Sequence, residues 1–95
     1  MDNDINVISM YTLYNAIFIE TNHGKYTIFL MMEYLYVKAP NGKRGHVYIT
    51  WDDDPEILLN EAIKFLMNHF GIKGDIPKEV LSEFVKENEL EISNR

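Results

Sequence analysis

The chain has 95 residues, with 15 acids against 9 bases and no cysteine. A chain this long buries roughly 60 to 68% of its unfolded surface, enough for one modest core, so a two-domain arrangement is excluded. The missing cysteines exclude disulfides, thiolate zinc sites and cysteine nucleophiles, and the formal charge of -6 argues against nucleic acid or an anionic membrane as direct partner.

Met1 to Asp4 is acidic, whereas a secretory leader starts basic and runs into an apolar stretch. The apolar runs stop short of the roughly 18 residues that a membrane helix needs. The expectation is a cytoplasmic protein without membrane contact. In chain order, 1–9 reads as an N-terminal segment, 10–51 as a β-sheet, 52–88 as a helical half and 89–95 as a polar tail, all within a single domain 1–95.

All six tyrosines and the single tryptophan lie in the first 51 residues, a composition suited to a pleated sheet. Strands are predicted from about Met10 to Thr21, Lys25 to Lys38 and Gly45 to Trp51. Asn22-His23-Gly24 supplies the first turn. In Ala39-Pro40-Asn41-Gly42-Lys43, Pro40 has no N–H for a two-residue turn, so a three-residue loop is expected, with Pro40 at a type I corner and Gly42 left-handed.

Asp52-Asp53-Asp54-Pro55-Glu56 reads as a helix start, an aspartate accepting from orphan amides and Pro55 filling the first turn. Leu58, Leu59, Ala62, Ile63, Leu66, Met67 and Phe70 recur at helical spacing until Gly71 ends the helix. Ile72 to Gly74 reads as a connector. Beyond Asp75-Ile76-Pro77 a second helix turns Val80, Leu81, Phe84 and Val85 inward. The expected fold class is therefore α+β: a three-stranded antiparallel β-meander followed by two α-helices packed on one face, in the order βββαα.

Read as one strand, 25–38 is apolar on both faces. Tyr26, Ile28, Leu30, Met32, Tyr34 and Tyr36 alternate with Thr27, Phe29, Met31, Glu33, Leu35 and Val37. The three-residue loop pairs Leu35 with Val47 and Glu33 with Ile49 on one face, and Tyr34 with Tyr48 and Tyr36 with His46 on the other. Two helices cover roughly one face of such a sheet. The other is covered by Ile5 to Met10 folding across it, or it is an interface for a partner protein or a second copy; a homodimer through this face or the adjacent strand edge is the expectation.

Residues 1–51 carry no net charge, so the whole imbalance belongs to 52–95. There Glu79, Glu83 and Glu87 recur every fourth residue, a stripe that imitates a run of phosphates or simply solvates a helix face. His23, His46 and His69 have no histidine at a helical ligand spacing, Asp52 to Asp54 lack the pattern of a calcium loop, and Ser9, Ser82 and Ser93 sit in no motif, so neither metal nor cofactor is expected. Lys43-Arg44 is the only adjacent basic pair, and Glu33 near Tyr48 and His46 is the one candidate for a buried acid.

These readings point to a nonenzymatic protein–protein interaction module, an inhibitor or regulator that occupies a partner's surface. Tyr34, Tyr36, Tyr48, Glu79, Glu83 and Glu87 are the partner-binding residues, and a basic nucleic-acid-binding protein is the expected partner. A narrower expectation, resting on size, acidity and the glutamate stripe, is a phage or mobile-element inhibitor of a nucleic-acid-handling host defence system. The competing readings are a nucleic-acid binder using the Lys43/Arg44 hairpin and a small ligand-binding or enzymatic domain with its site between sheet and helices.

Overall fold

A computed structural model describes residues 4–31, 34–48 and 54–88. Five strands follow one another before the first helix: β1 (Ile5–Leu13), β2 (Ala16–Thr21), β3 (Gly24–Leu30), β4 (Tyr34–Lys38) and β5 (Arg44–Tyr48). Helix α1 (Pro55–Phe70), the short strand β6 (Ile72–Lys73) and helix α2 (Lys78–Glu87) complete the order. The sheet runs β5-β4-β3-β2-β1-β6, antiparallel except where β6 joins β1 in parallel, and it curls into a half-barrel. The three-stranded meander expected from sequence is thus corrected to a strand-dominant six-stranded mixed sheet with two helices.

The difference lies in two hairpins without glycine. The expected strand 10–21 is folded at Tyr14-Asn15, with Leu13 paired to Ala16 and Tyr14 at φ 55°. The expected strand 25–38 is folded after Leu30, which pairs with Leu35 while the Met31 amide donates to the Tyr34 carbonyl at 2.9 Å. That fold reverses the alternation. Tyr26, Ile28 and Leu30 face the core before it, Leu35 and Val37 after it, so the apparently two-faced strand is two strands of opposite phase.

The third hairpin follows the sequence. Ala39 donates to the Lys43 carbonyl at 2.8 Å, and Gly42 sits at φ 88°. Tyr34↔Tyr48, Leu35↔Val47 and Tyr36↔His46 pair as the loop length requires. The Glu33–Ile49 pair and the strand's extension to Trp51 lie outside the described residues.

Residues 5–10 do not fold across the sheet but belong to β1 within it. A bulge between Val7 and Ser9 shifts the phase, so Ile5 and Val7 point to the core on one side of it and Met10 on the other. The Asn22 side chain holds this region, accepting from the Asn6 amide at 2.7 Å and donating to the Asp4 carbonyl at 3.0 Å. The expected connector 72–74 contains β6, whose Ile72 and Lys73 lie against Ile5 and Asn6. Lys73 Nζ also reaches Asp4 Oδ2 at 2.8 Å.

Asp54 caps α1 by accepting from the Glu56 amide at 2.9 Å, Pro55 fills the first turn, and Gly71 at φ 76° ends the helix. Asp52 and Asp53 lie outside the described residues. Leu59, Ile63, Leu66 and Met67 of α1 and Leu81 and Phe84 of α2 meet Ile17, Ile19, Ile28, Leu35 and Val37 of the sheet in one core. Gly45 leaves room there for the Phe70 ring, 3.3 Å from where a Cβ would stand. Asn88, buried at the end of α2, donates from Nδ2 to the carbonyls of Tyr14 and Phe84, both at 2.9 Å, and so ties the helix to the first hairpin. No helix among the described residues is long and apolar enough to cross a membrane.

Candidate interaction surface

Residues paired across an antiparallel sheet share a face, so the register defines the side turned away from the helices. One row across it reads Tyr11, Phe18, Thr27, Lys38, Arg44, and the next reads Leu13, Ala16, Phe29, Tyr36, His46. Tyr34 and Tyr48 extend the second row at one end, and Ser9, Glu20 and Lys25 flank the first at the other.

The rings on this face touch one another. Tyr34, His46 and Tyr48 form an edge-to-face triad with centroids 5.4 to 5.8 Å apart. Phe29 lies 6.3 Å from Tyr36, and Tyr11 stacks on Phe18 at 5.2 Å with Lys25 Nζ over the Phe18 ring. Tyr48 is 71% exposed, while Phe18, Phe29, Tyr34 and Tyr36 are half-buried. Lys25, Lys38 and Arg44 stand exposed on the same face, which holds the Glu20 carboxylate among its described residues.

The sequence-derived tyrosines Tyr34, Tyr36 and Tyr48 are therefore gathered on this surface. Glu79, Glu83 and Glu87 are exposed along α2, in the layer on the opposite side of the sheet, so the six residues form two surfaces rather than one. Sequence reasoning missed Tyr11, Phe18, Phe29, Lys25 and Lys38. The signal was the alternation within the shorter strands, Lys25-Thr27-Phe29, Tyr34-Tyr36-Lys38 and Arg44-His46-Tyr48, which the unseen hairpin hid.

The space between sheet and helices is filled by the apolar core. A cavity of about 490 Å³ lies instead along the two helices, where Glu56, Asn60, Lys64, Asp75 and Lys78 place both charge signs around Leu81. Among the described residues no group of three or more histidines, aspartates or glutamates is placed to hold a metal ion. Glu33, the candidate buried acid, lies outside them. Lys43 and Arg44 are exposed, Lys43 donating its amide to Asn41 Oδ1 in the loop and Arg44 opening β5. Compared with family models, curated proteins and solved structures, the chain matches none.

Proposed function

We propose that this chain is a nonenzymatic cytoplasmic interaction module that regulates or inhibits a partner protein by occupying its surface, with the outer sheet face as the contact. The three groups of rings on one sheet face, Tyr11 with Phe18, Phe29 with Tyr36, and Tyr34 with His46 and Tyr48, left uncovered by both helices, carry this reading. Tyrosine and arginine are enriched at the energetic centres of protein interfaces, and rings already packed on neighbours lose little entropy on docking. The exposed glutamates of α2, on the opposite side of the sheet, form a second and separate surface suited to attracting a basic partner.

The test is affinity capture from the native host with the parent chain and with Tyr36→Glu/Tyr48→Glu, each checked for folding. The parent is expected to retain one partner protein that the variant loses. Retention of the same partner by both would remove the outer face from the reading.

A second reading has its own support, since Lys38 and Arg44 border the rings and Lys25 covers Phe18, a combination that also suits single-stranded nucleic acid. Against it stand the net charge of -6 and the interplanar angles of 55° to 89° between Phe29 and Tyr36 and within the triad, which break up any parallel stacking platform. Titration with single-stranded oligonucleotides separates the two. Binding that falls steeply with salt and is lost on Lys38→Ala/Arg44→Ala favours nucleic acid.

A further inference from the structure

We infer that β5 is a strand-pairing edge that accepts the β5 of a second copy of this chain, antiparallel about a two-fold axis through His46. The inference concerns the sheet edge and stands whether or not the outer face meets another protein. β5 is the terminal strand of the sheet. The Ala39 to Lys43 bond makes Ala39/Lys43 a hydrogen-bonded pair. Such pairs alternate along an antiparallel ladder, so Val37/Gly45 and Leu35/Val47 are bonded pairs, and the backbone groups of Arg44, His46 and Tyr48 point away from β4.

An unpaired row of this kind is a template for another strand, and proteins blunt it with proline, a bulge or an inward charge. Arg44–Tyr48 is short and opens on a charged residue, but it has no proline, its register with β4 is unbroken and its core-facing residues are Gly45 and Val47. The opposite side of the sheet is treated differently. There β1 carries a bulge and β6, and the carbonyl of Tyr14 in the turn after β1 is held by Asn88.

What selects a second copy is the register. Antiparallel pairing about His46 sets Arg44 opposite the second copy's Tyr48, His46 opposite His46, and Tyr48 opposite the second copy's Arg44. The residues with free backbone groups then meet one another, and each end of the ladder places a guanidinium beside a 71%-exposed ring, a cation–π pair formed twice by symmetry. The aromatic outer faces of the two copies join into one continuous surface.

Sedimentation equilibrium from low micromolar to near-millimolar protein is expected to give a reversible monomer–dimer equilibrium; a monomer throughout overturns the inference. His46→Pro removes an outward donor without touching the internal ladder and is expected to give a folded monomer. Tyr48→Arg sets like charges opposite and is expected to weaken the dimer by about tenfold or more. Adding Arg44→Tyr to Tyr48→Arg restores the cross-copy pair and should return the dissociation constant to within about threefold of the parent. A folded His46→Pro variant that still dimerises rules out the edge, and should that variant fail to fold, the swap decides. A double variant as weak as Tyr48→Arg alone rules out the register.

Discussion

Two tyrosines show how local physics enters this fold. Tyr14 sits at φ 55° with 77% of its surface exposed, so it bears the left-handed penalty of a Cβ while its ring contributes little burial. Tyr14→Gly relieves that penalty and gives back part of the gain through unfolded-state entropy. A net rise of about 0.5 kcal/mol, near 2 to 4 °C in melting temperature, is expected by thermal denaturation. A loss of stability would mean the ring is held by something beyond its turn. Tyr26 is buried, and burial pushes its phenol above the ordinary value of about 10. The folded state holds this proton more tightly than the unfolded one. Its contribution is therefore complete below pH 10 and is lost as the pH climbs through the raised value. Urea titrations across that window should show stability falling with pH in the parent and falling less in Tyr26→Phe.

At the scale of elements, the outward and inward faces of β4 separate cleanly. Leu35 is fully buried between Leu30 and Val47, whereas Tyr34 lies on the outer face against His46 and Tyr48. Leu35→Glu puts an unpaired carboxylate into the core and should cost more than about 4 kcal/mol, enough to unfold a domain this small. Tyr34→Glu should stay folded, losing about 1 kcal/mol of ring packing. Circular dichroism and urea unfolding of the pair check the assignment, and equal losses would contradict it. The same strand shows what sequence can carry. Leu35↔Val47 and Tyr36↔His46 were legible because Pro40 and Gly42 fix a loop whose length sets the register. The α1 boundaries were legible for a similar reason, as Asp54, Pro55 and Gly71 each satisfy or end the backbone ladder. The reversal between Leu30 and Leu35 was not, because the sequence 31–34 offers no glycine, proline or asparagine, and a switch of phase within apolar residues resembles a continuous strand with two greasy sides. β6 was invisible because two residues carry no periodicity.

For the whole molecule, the separation of charge is the dominant fact: the helical half holds the entire excess of six negative charges, and the outer sheet face gathers lysine and arginine. The carboxylates of Glu79, Glu83 and Glu87 are exposed at helical spacing, where like charges repel by a few tenths of a kcal/mol per pair. Replacing all three with Gln should leave the fold intact and raise stability by roughly that amount at low ionic strength, the gain fading as salt screens it. Urea titrations at two salt concentrations measure this. A loss beyond about 1 kcal/mol would show that the carboxylates hold structure, and association with a captured basic partner should slow in the same variant.

The parallel contact between Ile5 and Ile72 spans most of the chain, whereas every other strand pair joins neighbours in sequence. Local hairpins close quickly, and distant contacts wait for the intervening loop to be ordered. The meander can therefore assemble as soon as β5 has formed, but the outer side of β1 stays open until α1 has docked and carried Ile72 into place. During that interval the bulge at Val7 to Ser9 guards the nascent edge against pairing with a neighbouring chain, while the Asn22 bonds to Asp4 and Asn6 hold the start of β1 against the β2–β3 turn on its other side. Asn22→Ala should accordingly loosen the start of β1, cost the folded protein modestly and lower its refolding yield at high concentration, measured as light scattering after dilution from urea; an unchanged yield would show that the bulge protects this edge without Asn22 anchoring the strand.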